Sequence, residues 1–589
     1  MSELLTGNEA IARGAYECGV KVAAAYPGTP STEILENFAR YPGIYAEWAP
    51  NEKVAVEVGI GASMAGARTM VAMKHVGMNV AADPLFTLAY TGVNGGLVLV
   101  CADDPGMHSS QNEQDNRYYA RFIGMPLLEP GDSREARDMV GLALDLSEEY
   151  DLPVMLRITT RVAHSQSFVE LKEPLTQRPP RPYVKDEKKY LMVPAFARLR
   201  REALAERLTR LKEYAPKAPV NWIEWGERST GVITSGVIYQ YVREVLPDAS
   251  VLKLGMTNPL PEPLIREFAD GVAKLVVVEE LEPFIEEQVR AMGLKVSGSE
   301  IMPKTGELDP GVIAEKFMAA GILPADTRAN AGRTGLQAPE IPARPPVMCP
   351  GCPHRGIFHV LRGLKLTVTG DIGCYTLGGL PPLSAMDTAV CMGASIGMAH
   401  GISKANPEMG ARTVAVIGDS TFFHSGLTGV LNLVYNKGTA TVIILDNRTT
   451  AMTGHQPHAG TGSTLMGEAA PAINFEVLMR ALGVKRVRTV NPLNLAETAA
   501  AVREETAADE PSVIIAQQPC VLLSRPARPA SRVEPEKCKG CKLCLRLGCP
   551  AISLKDGVAS VDAFACTGCG LCIQVCKEGA IAPEEDDHV

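Results

Sequence analysis

The 589-residue sequence has no apolar run approaching the length of about 18 residues that would predict a membrane-spanning helix. Residues 1–19 also lack a Lys- or Arg-led apolar segment, so we expect neither secretion nor membrane insertion and predict a cytoplasmic protein. Positive charge is in deficit, because the formal net charge is -9, and this argues against a nucleic-acid partner. A Gly-rich P-loop for phosphate binding is likewise not evident.

The composition is that of a globular protein, with 46% apolar and 21% charged residues. At about 150 residues per domain, the length predicts several domains. Helical segments alternate with short apolar strands in three blocks, a pattern typical of doubly wound parallel α/β sheets. Proline-rich, charged sequence at Glu170–Pro219 and Pro339–Pro346 suggests connectors between the blocks. The main strands that we predict are Val20–Tyr26, Gly95–Ala102, Leu152–Arg157, Gly231–Thr234, Val251–Lys253, Lys274–Glu279, Thr413–Ile417 and Thr441–Leu445.

Eight of the fifteen cysteines lie in the last 52 residues, spaced as C-x2-C-x2-C-x4-C-P and C-x2-C-x2-C-x3-C. This spacing is close to that of bacterial two-cluster ferredoxins, in which the fourth cysteine of each half binds the cluster of the other half. The rule predicts one [4Fe-4S] cluster on Cys538, Cys541, Cys544 and Cys576, and a second on Cys566, Cys569, Cys572 and Cys549. Structural zinc is the alternative, but four ligands per tetrahedral site do not explain the tight triplets.

Polar residues also follow two predicted neighbouring strands of the third block. Gly418, Asp419 and Ser420 end one strand, and Asn447 ends the next. In a right-handed βαβ unit both strand ends open on the same side of the sheet, so Asp419 and Asn447 can meet there. One carboxylate and one amide oxygen suit Mg2+ that also binds diphosphate oxygens and water. The alternative is an ordinary aspartate after a strand, since Ser420 stands where thiamine-diphosphate motifs have glycine.

Six further segments of the chain are Ala25–Ser31, Lys74–Gly77, Met107–Asn112, Met348–Arg355, Gly373–Tyr375 and Thr453–His458. Together they resemble one family, the 2-oxoacid:ferredoxin oxidoreductases, and within it the alpha-subunit family of the indolepyruvate-type enzymes. The resemblance covers nearly the whole chain in the same domain order. It implies residues 1–170 as a pyrimidine-binding domain, 171–225 as a linker, 226–335 as a transketolase-C-like domain, 336–525 as a diphosphate- and Mg-binding domain and 530–589 as a ferredoxin domain.

The resemblance also implies roles for individual residues. Mg2+ is expected on Asp419, Asn447 and the main-chain carbonyl of Thr449. Glu52 is expected to contact the aminopyrimidine N1′ of thiamine diphosphate, with Glu57 as the fallback and helix capping as the alternative for Glu52. The loops expected to approach the cofactor carry Gly418, Ser420, Cys352, His354, Gly373 and Cys374.

Other assignments leave two readings open. Thr29 is expected either to lie near the substrate or to serve only in a turn. Arg121, or else Arg117, is expected to pair with the substrate carboxylate; the alternative is that it lies on a solvated helix face. Three histidines are either at the cofactor or structural: His75, His455 and His458. A metal site on one cysteine-rich loop is a further alternative, with the ligands Cys349, Cys352, His354 and Cys374.

The leading functional hypothesis is oxidative decarboxylation of an arylpyruvate to the aryl-acetyl-CoA. Thiamine diphosphate is an electron sink for decarboxylation, and the two clusters accept electrons singly. The resemblance implies coenzyme A and a 2-oxoacid as substrates, ferredoxin as electron acceptor, and a smaller beta subunit of the gamma-domain type as partner. The alternatives are another 2-oxoacid, such as a branched-chain one, or an electron-transfer subunit on an inactive thiamine-fold scaffold.

Overall fold

The computed structural model describes residues 2–175, 179–324, 341–342, 344–523 and 528–584. The chain divides into two compact units, residues 1–339 and 340–589. The expected connector Pro339–Pro346 lies partly outside the described residues, as does a short part of the expected linker at residues 176–178. In the part of the chain that is described, none of the helices combines the length and the apolar character needed to cross a membrane.

A seven-stranded sheet forms the centre of the first unit. Its inner strands are mostly apolar and are buried on both faces, as parallel strands are when helices cover both sides. All neighbouring pairs are parallel except Met256–Asn258 against Leu127–Leu128. The strand order is Met256–Asn258, Leu127–Leu128, Val154–Thr159, Leu97–Asp103, Arg68–Lys74, Val20–Ala25 and Tyr45–Trp48.

The second predicted block forms a four-stranded sheet, but it is not independent of the first block. Its strand Met256–Asn258 pairs with Leu127–Leu128 and so becomes an edge of the seven-stranded sheet. The sequence pattern alone suggested two separate sheets, because a three-residue strand has too little periodicity to be recognised. The strand order of the smaller sheet is Leu275–Val278, Glu227–Ser235, Ala249–Leu254 and Asn221–Glu224, the last antiparallel.

The expected linker at 171–225 is corrected in its middle, where the helix Pro194–Tyr214 packs against the first block. Leu204 and Leu211 are buried. Arg207 donates to the main-chain oxygens of Ala89 and Tyr90. The sequence predicts a helix near Phe196–Lys212 within this linker. Its polar composition does not reveal that Arg200 and Arg207 bind carbonyl and carboxylate groups of the neighbouring elements.

The remaining elements of the first unit follow the α/β alternation. A small antiparallel pair joins Ser2–Thr6 to Gln166–Glu170. The helices are Gly7–Glu17, Thr32–Phe38, Glu52–Met64, Gly77–Thr91, Arg117–Ile123, Ser133–Tyr150, Thr160–His164, Glu187–Tyr190, Pro194–Tyr214, Ile238–Val245, Glu262–Asp270, Phe284–Ala291 and Pro310–Ala319, with a 3-10 turn at Ala215–Lys217.

The second unit contains a six-stranded parallel sheet. Its strand order is Thr388–Ala389, Thr367–Gly370, Thr413–Gly418, Thr441–Asp446, Ser512–Gln517 and Arg486–Val490. The helices are His354–Leu364, Ala394–Ala405, Pro407–Gly410, Asp419–Thr421, Leu427–Tyr435, Phe475–Ala481, Leu495–Thr506 and Leu571–Val575, with a π-turn at Phe422–Gly426 and 3-10 turns at Cys374–Gly379, Ala451–Thr453, Pro535–Lys537 and Cys544–Leu547.

The cysteine-rich tail forms two small antiparallel strand pairs, Ser531–Val533 with Ile581–Pro583 and Ile552–Lys555 with Val558–Val561. Its apolar core is small and contains cysteines next to Leu547, Leu571 and Ile581. So small a core gives little stability by itself, which is typical of domains that also depend on metal ligation.

Candidate functional site

Asp419 lies where the strand Thr413–Gly418 passes into a helix, and Asn447 follows the neighbouring strand Thr441–Asp446. The structure brings these two residues together. One carboxylate oxygen of Asp419, Oδ2, accepts from the backbone N–H of Asn447 at 3.1 Å and of Arg448 at 2.8 Å. The other oxygen accepts from the N–H of Ser420 at 2.8 Å. The main chain therefore fixes the carboxylate at the carboxyl edge of the parallel sheet.

The loop after Asn447 arranges further oxygen atoms beside this carboxylate. The N–H of Thr449 donates to Oδ1 of Asn447 at 3.2 Å, and Oγ1 of Thr450 donates to Oγ of Ser420 at 2.9 Å. Thr449 is buried, and its hydroxyl has no hydrogen-bond partner among the described residues. A buried hydroxyl without a partner is uncommon in proteins and indicates room for a bound polar group.

His458 faces the same carboxylate. Its Nε2 lies 3.2 Å from Oδ2 of Asp419, yet no aligned hydrogen bond forms within the described part of the chain. Since Nδ1 accepts from the N–H of Gly460 at 3.1 Å, the neutral ring carries its proton on Nε2. The Nδ1 of His455 is also buried and has no hydrogen-bond partner among the residues that the structure describes. A carboxylate, an amide oxygen and several unsatisfied polar groups together fit Mg2+ with diphosphate oxygens.

Gly373 and Gly418 both lie against the ring of Tyr375. A Cβ atom would come within 2.5 Å of Cε1 of that ring at Gly373 and within 2.7 Å at Gly418. The Tyr375 hydroxyl donates to the main-chain oxygen of Ile372 at 3.0 Å, which holds the ring in place. The sequence suggested that these glycines permit approach of a cofactor, whereas the contact present in the structure is with Tyr375, a residue to which the sequence assigned no role.

Cys352 and His354 are buried, and His354 begins the helix His354–Leu364. Nε2 of His354 lies 3.4 Å from Nδ2 of Asn447, which places this loop beside the Asp419 site. Burial lowers the pKa of His354 to about 4, against the opposing charge of Asp419, so the ring is neutral. Burial also raises the pKa of Cys352 to about 12 and that of Cys374 to about 11.

The side chains of this loop are poorly arranged for the alternative, a metal ion bound by Cys349, Cys352, His354 and Cys374. Cys349 is exposed while Cys352 is buried, and the His354 ring is directed to Asn447. Across the described ranges, no group of three or more His, Cys, Asp or Glu side chains is placed to hold a single metal ion.

Glu52 is the first residue of the helix Glu52–Met64 and is buried. Helix capping is performed by Asn51, whose Oδ1 accepts from the N–H of Val54 at 3.0 Å, and not by Glu52. Glu57, the fallback, has a half-exposed side chain paired with Lys53 at 2.7 Å. The structure therefore distinguishes the two glutamates, because only Glu52 is held inside the protein.

Thr29 is partly exposed, and its main-chain oxygen accepts from Oγ of Ser109 at 3.3 Å. Lys74, to which the sequence assigned no role, donates to the oxygen of Ser109 at 3.0 Å. Burial lowers the pKa of Lys74, although Asp104 and Glu52 oppose the effect. His75 is fully buried with Nε2 3.1 Å from the oxygen of Asn112, while its Nδ1 has no hydrogen-bond partner among the described residues, so both predicted roles of this histidine stay open.

Arg117 is corrected as a candidate for binding the substrate carboxylate. Its guanidinium is buried and donates to Asp115 at 2.6 Å and to Glu279 at 2.6 Å. Its remaining donors bind the main-chain oxygens of Glu280 and Glu282. All of these partners lie within the protein, so Arg117 is structural. Arg121, one turn further along the same helix, is exposed in this chain.

Two cavities in the second unit are each lined by four tail cysteines. The first is lined by Cys549, Cys566, Cys569 and Cys572 and is called the Cys566 cavity below. The second is lined by Cys538, Cys541, Cys544 and Cys576 and is called the Cys538 cavity. In each cavity three cysteines come from one half of the tail and the fourth from the other half, as cross-ligation requires.

Backbone N–H groups donate to cysteine sulfurs in both cavities. Cys566 accepts from Ser531 at 3.4 Å, and Cys538 accepts from Ala559 at 3.4 Å. Burial raises the pKa of Cys572 to about 11, so a buried thiolate here requires a compensating positive group such as cluster iron. Both cavities therefore fit iron–sulfur clusters.

Comparisons with known proteins agree with this geometry. The family described as "Pyruvate flavodoxin/ferredoxin oxidoreductase, thiamine diP-bdg" matches residues 13–206. "Thiamine pyrophosphate enzyme, C-terminal TPP binding domain" matches residues 371–516, and "4Fe-4S dicluster domain" matches residues 530–577. These matches define a thiamine-diphosphate-dependent iron–sulfur oxidoreductase.

Relatives of nearly the same length identify the family. The indolepyruvate oxidoreductase subunit IorA of Archaeoglobus fulgidus is 42% identical over 99% of this chain and 98% of its own. The subunit of the same name from Methanothermobacter marburgensis is 43% identical over 98% and 97%, and that from Pyrococcus horikoshii is 41% identical over 98% and 96%. The chain belongs to this IorA family and is a 2-oxoacid:ferredoxin oxidoreductase, which confirms the resemblance found in the sequence.

Proposed function

We propose that this chain catalyses the oxidative decarboxylation of arylpyruvates, such as indolepyruvate and phenylpyruvate, to aryl-acetyl-CoA. The observation that carries the proposal is the presence, within one compact unit, of the Asp419–Asn447 pair and of two four-cysteine cavities. The first arrangement suits a divalent cation with diphosphate, and the second suits carriers of single electrons. The arylpyruvate preference is supported by the names of the relatives.

When bound, thiamine diphosphate supplies the electron sink for decarboxylation, and two [4Fe-4S] clusters accept the released electrons singly. Asp419 and Asn447 provide oxygen ligands to Mg2+, together with the main-chain carbonyl of Thr449. His458, with its proton on Nε2, is a candidate donor to a diphosphate oxygen. The three loops that carry Cys352 and His354, Gly373 and Cys374, and Gly418 and Ser420 are proposed to approach the cofactor at this site.

In the first unit, Glu52 shares a proton with the aminopyrimidine N1′ of the cofactor. Burial and its place at the start of a helix hold its carboxyl group in one position. Thr29 is proposed to lie near the substrate, and the exposed guanidinium of Arg121 to pair with the substrate carboxylate.

The partners follow from the same reading. Because the full-length relatives are named as subunits, we infer a hetero-oligomer with a smaller subunit of the gamma-domain type. Coenzyme A is the acyl acceptor, and an external ferredoxin receives the electrons.

The test is a comparison of kcat/KM for indolepyruvate, phenylpyruvate, 2-oxoisovalerate, pyruvate and 2-oxoglutarate, with the subunits co-expressed. The two arylpyruvates are expected to exceed the others by at least about tenfold, since each lost apolar contact in a pocket is worth that much. A preference for 2-oxoisovalerate or 2-oxoglutarate would show that the chain catalyses the same reaction on another class of 2-oxoacid. Clusters without bound thiamine diphosphate would instead support the inactive-scaffold alternative.

A further inference from the structure

The two cysteine cavities of the second unit differ in what surrounds them. The wall of the Cys566 cavity includes Pro350, Gly351 and Arg355, which belong to the loop and helix beside the Asp419 site. By contrast, residues 538–581 of the tail supply the whole wall that is described for the Cys538 cavity. The Cys566 cavity therefore lies against the thiamine-binding part of this unit, and the Cys538 cavity does not.

The loop and the tail are in tight contact at this wall. A Cβ atom on Gly351 would lie 2.0 Å from Oγ1 of Thr567, and Gly351 has a φ of +72°, a conformation that favours glycine. The same loop leads into His354, which lies beside Asn447. The loop that contains Gly351 and the first turn of the helix that begins at His354 thus connect the Asp419 site to the Cys566 cavity.

One of the four cysteines that line the Cys538 cavity is exposed to solvent. Cys541 and its neighbour Lys542 are exposed, whereas the four cysteines of the Cys566 cavity are buried or half-buried. Because electron transfer to a separate protein needs a cluster near the surface, the Cys538 cavity is the better exit.

Arg355 is a buried cation at the wall of the Cys566 cavity, whereas the two lysines that line the Cys538 cavity, Lys539 and Lys542, are exposed. It is 2% exposed, and it donates to the main-chain oxygens of Leu547 at 2.6 Å, Met348 at 2.8 Å and Cys349 at 3.1 Å. In the described part of the chain its Nε has no partner, and no carboxylate forms an ion pair with it. A buried guanidinium whose charge is not neutralised acts strongly on nearby groups, because the surrounding protein screens charge poorly.

We propose that Arg355 raises the reduction potential of the cluster in the Cys566 cavity, and that this cluster is the first to receive electrons from the thiamine site. A positive charge stabilises the reduced cluster, which carries one more negative charge than the oxidised form. Arg355 is a positioning residue, since it acts through the cluster and not on the substrate. The inference rests on the proposed function, which assigns clusters to both cavities.

The electrons balance along this path. Decarboxylation and acyl transfer to the CoA thiol release CO2, one proton and two electrons for each 2-oxoacid. Each electron passes singly to the cluster in the Cys566 cavity, then to that in the Cys538 cavity, and then to an external one-electron acceptor, of which two are reduced.

The first test is a redox titration followed by electron paramagnetic resonance, on the co-expressed complex, for Arg355→Gln and Arg355→Lys. Arg355→Gln is expected to lower the reduced-to-oxidised ratio of one cluster at fixed potential by at least about tenfold, equal to about 59 mV for one electron. Arg355→Lys, which keeps the charge, is expected to retain most of the potential. The matched control is Arg362→Gln, which removes an exposed positive charge from the same helix and should shift neither cluster.

The second test assigns the signals and the order of reduction. Cys569→Ala should remove the cluster of the Cys566 cavity, and Cys541→Ala that of the Cys538 cavity. With 2-oxoacid and no external acceptor, rapid freezing should show fast reduction of the remaining cluster in Cys541→Ala and slow reduction in Cys569→Ala. The reverse order, or a shift confined to the Cys538 cluster in Arg355→Gln, would overturn the inference.

The experiments distinguish a failure of the proposed function from a failure of the role proposed for Arg355. A wild-type complex without iron, or with clusters that the 2-oxoacid does not reduce, contradicts the proposed function itself. A wild-type complex with both clusters reducible, but with equal potentials in wild type and Arg355→Gln, contradicts only the role of Arg355.

Discussion

Gly77 packs directly on the side chain of Glu52. A Cβ atom at Gly77 would lie 2.7 Å from both Cγ and Oε1 of Glu52, which is closer than side chains approach each other. Gly77 begins the helix Gly77–Thr91 and Glu52 begins the helix Glu52–Met64, so two helix starts meet at this carboxyl group. The position of Glu52 therefore depends on a glycine 25 residues further along the chain.

Glu52→Gln is expected to lower turnover by at least about 100-fold, the lower end of what acid–base assistance contributes, without loss of folding or clusters. The measurement is exchange of the C2 proton of bound thiamine diphosphate together with steady-state turnover. Glu57→Gln is the matched control, because Glu57 is exposed and paired with Lys53, and it should leave both rates near wild type. If the C2 proton exchanges as fast in Glu52→Gln as in the wild type, another group must share the proton with the aminopyrimidine N1′.

Gly77→Ala tests the contact itself. The added methyl group must displace the Glu52 side chain, and a misplacement of about 1 Å at a reacting group can cost about 100-fold in rate. We expect slower C2 proton exchange with thiamine diphosphate still bound. Gly61→Ala is the control, since its Cβ would meet nothing within 4 Å. Equal exchange rates in the two alanine variants would show that Gly77 does not position Glu52.

Arg117 and Arg121 are expected to respond to substitution in opposite ways. Arg117→Met leaves Asp115 and Glu279 without a counter-ion, and breaking a buried ion pair in this way costs about 3–5 kcal/mol of stability. Arg121→Met removes an exposed group, so it should leave thermal unfolding unchanged while raising KM for the 2-oxoacid. Unfolding curves and steady-state kinetics of both variants provide the comparison. A stable Arg117→Met protein with a raised KM would restore Arg117 as the substrate residue.

The sequence predicted the parts of this protein that local spacing encodes. The eight cysteines, Asp419 and Asn447 follow from motif spacing and strand order, and each set meets in the structure. Contacts between distant segments were not predictable in this way. Met256–Asn258 joins another sheet, and Arg117 binds Glu279, because partners chosen by tertiary packing leave no periodic signal in the chain. Arg355 lay inside a recognised segment, yet only its burial without a counter-ion indicates what it does.

Cys576→Ala tests the cross-ligation of the tail. We expect about eight iron atoms per chain in the wild type, from eight cysteines at ferredoxin spacing. Cys576 lines the Cys538 cavity although the other three cysteines of its half of the tail line the Cys566 cavity, so its loss should damage the cluster on Cys538, Cys541 and Cys544. Iron analysis and electron paramagnetic resonance distinguish the clusters, with Cys572→Ala as the matched variant for the Cys566 cavity. Loss of the Cys566-cavity cluster in Cys576→Ala would refute the pairing.

The chain is expected to have little CoA-dependent activity without a second subunit. Its full-length relatives are named as subunits, and outside the thiamine segments no Gly-rich loop suited to holding the CoA phosphates is evident in the sequence. The reductive half-reaction should still begin, since the proposed cofactor ligands and the cluster cysteines all belong to this polypeptide. Two measurements on the purified chain separate these steps: bleaching of the clusters by 2-oxoacid, and steady-state CoA-dependent ferredoxin reduction with and without the co-expressed partner. Bleaching with little steady-state turnover is the expected result, whereas full activity from the single polypeptide would contradict the requirement for a partner.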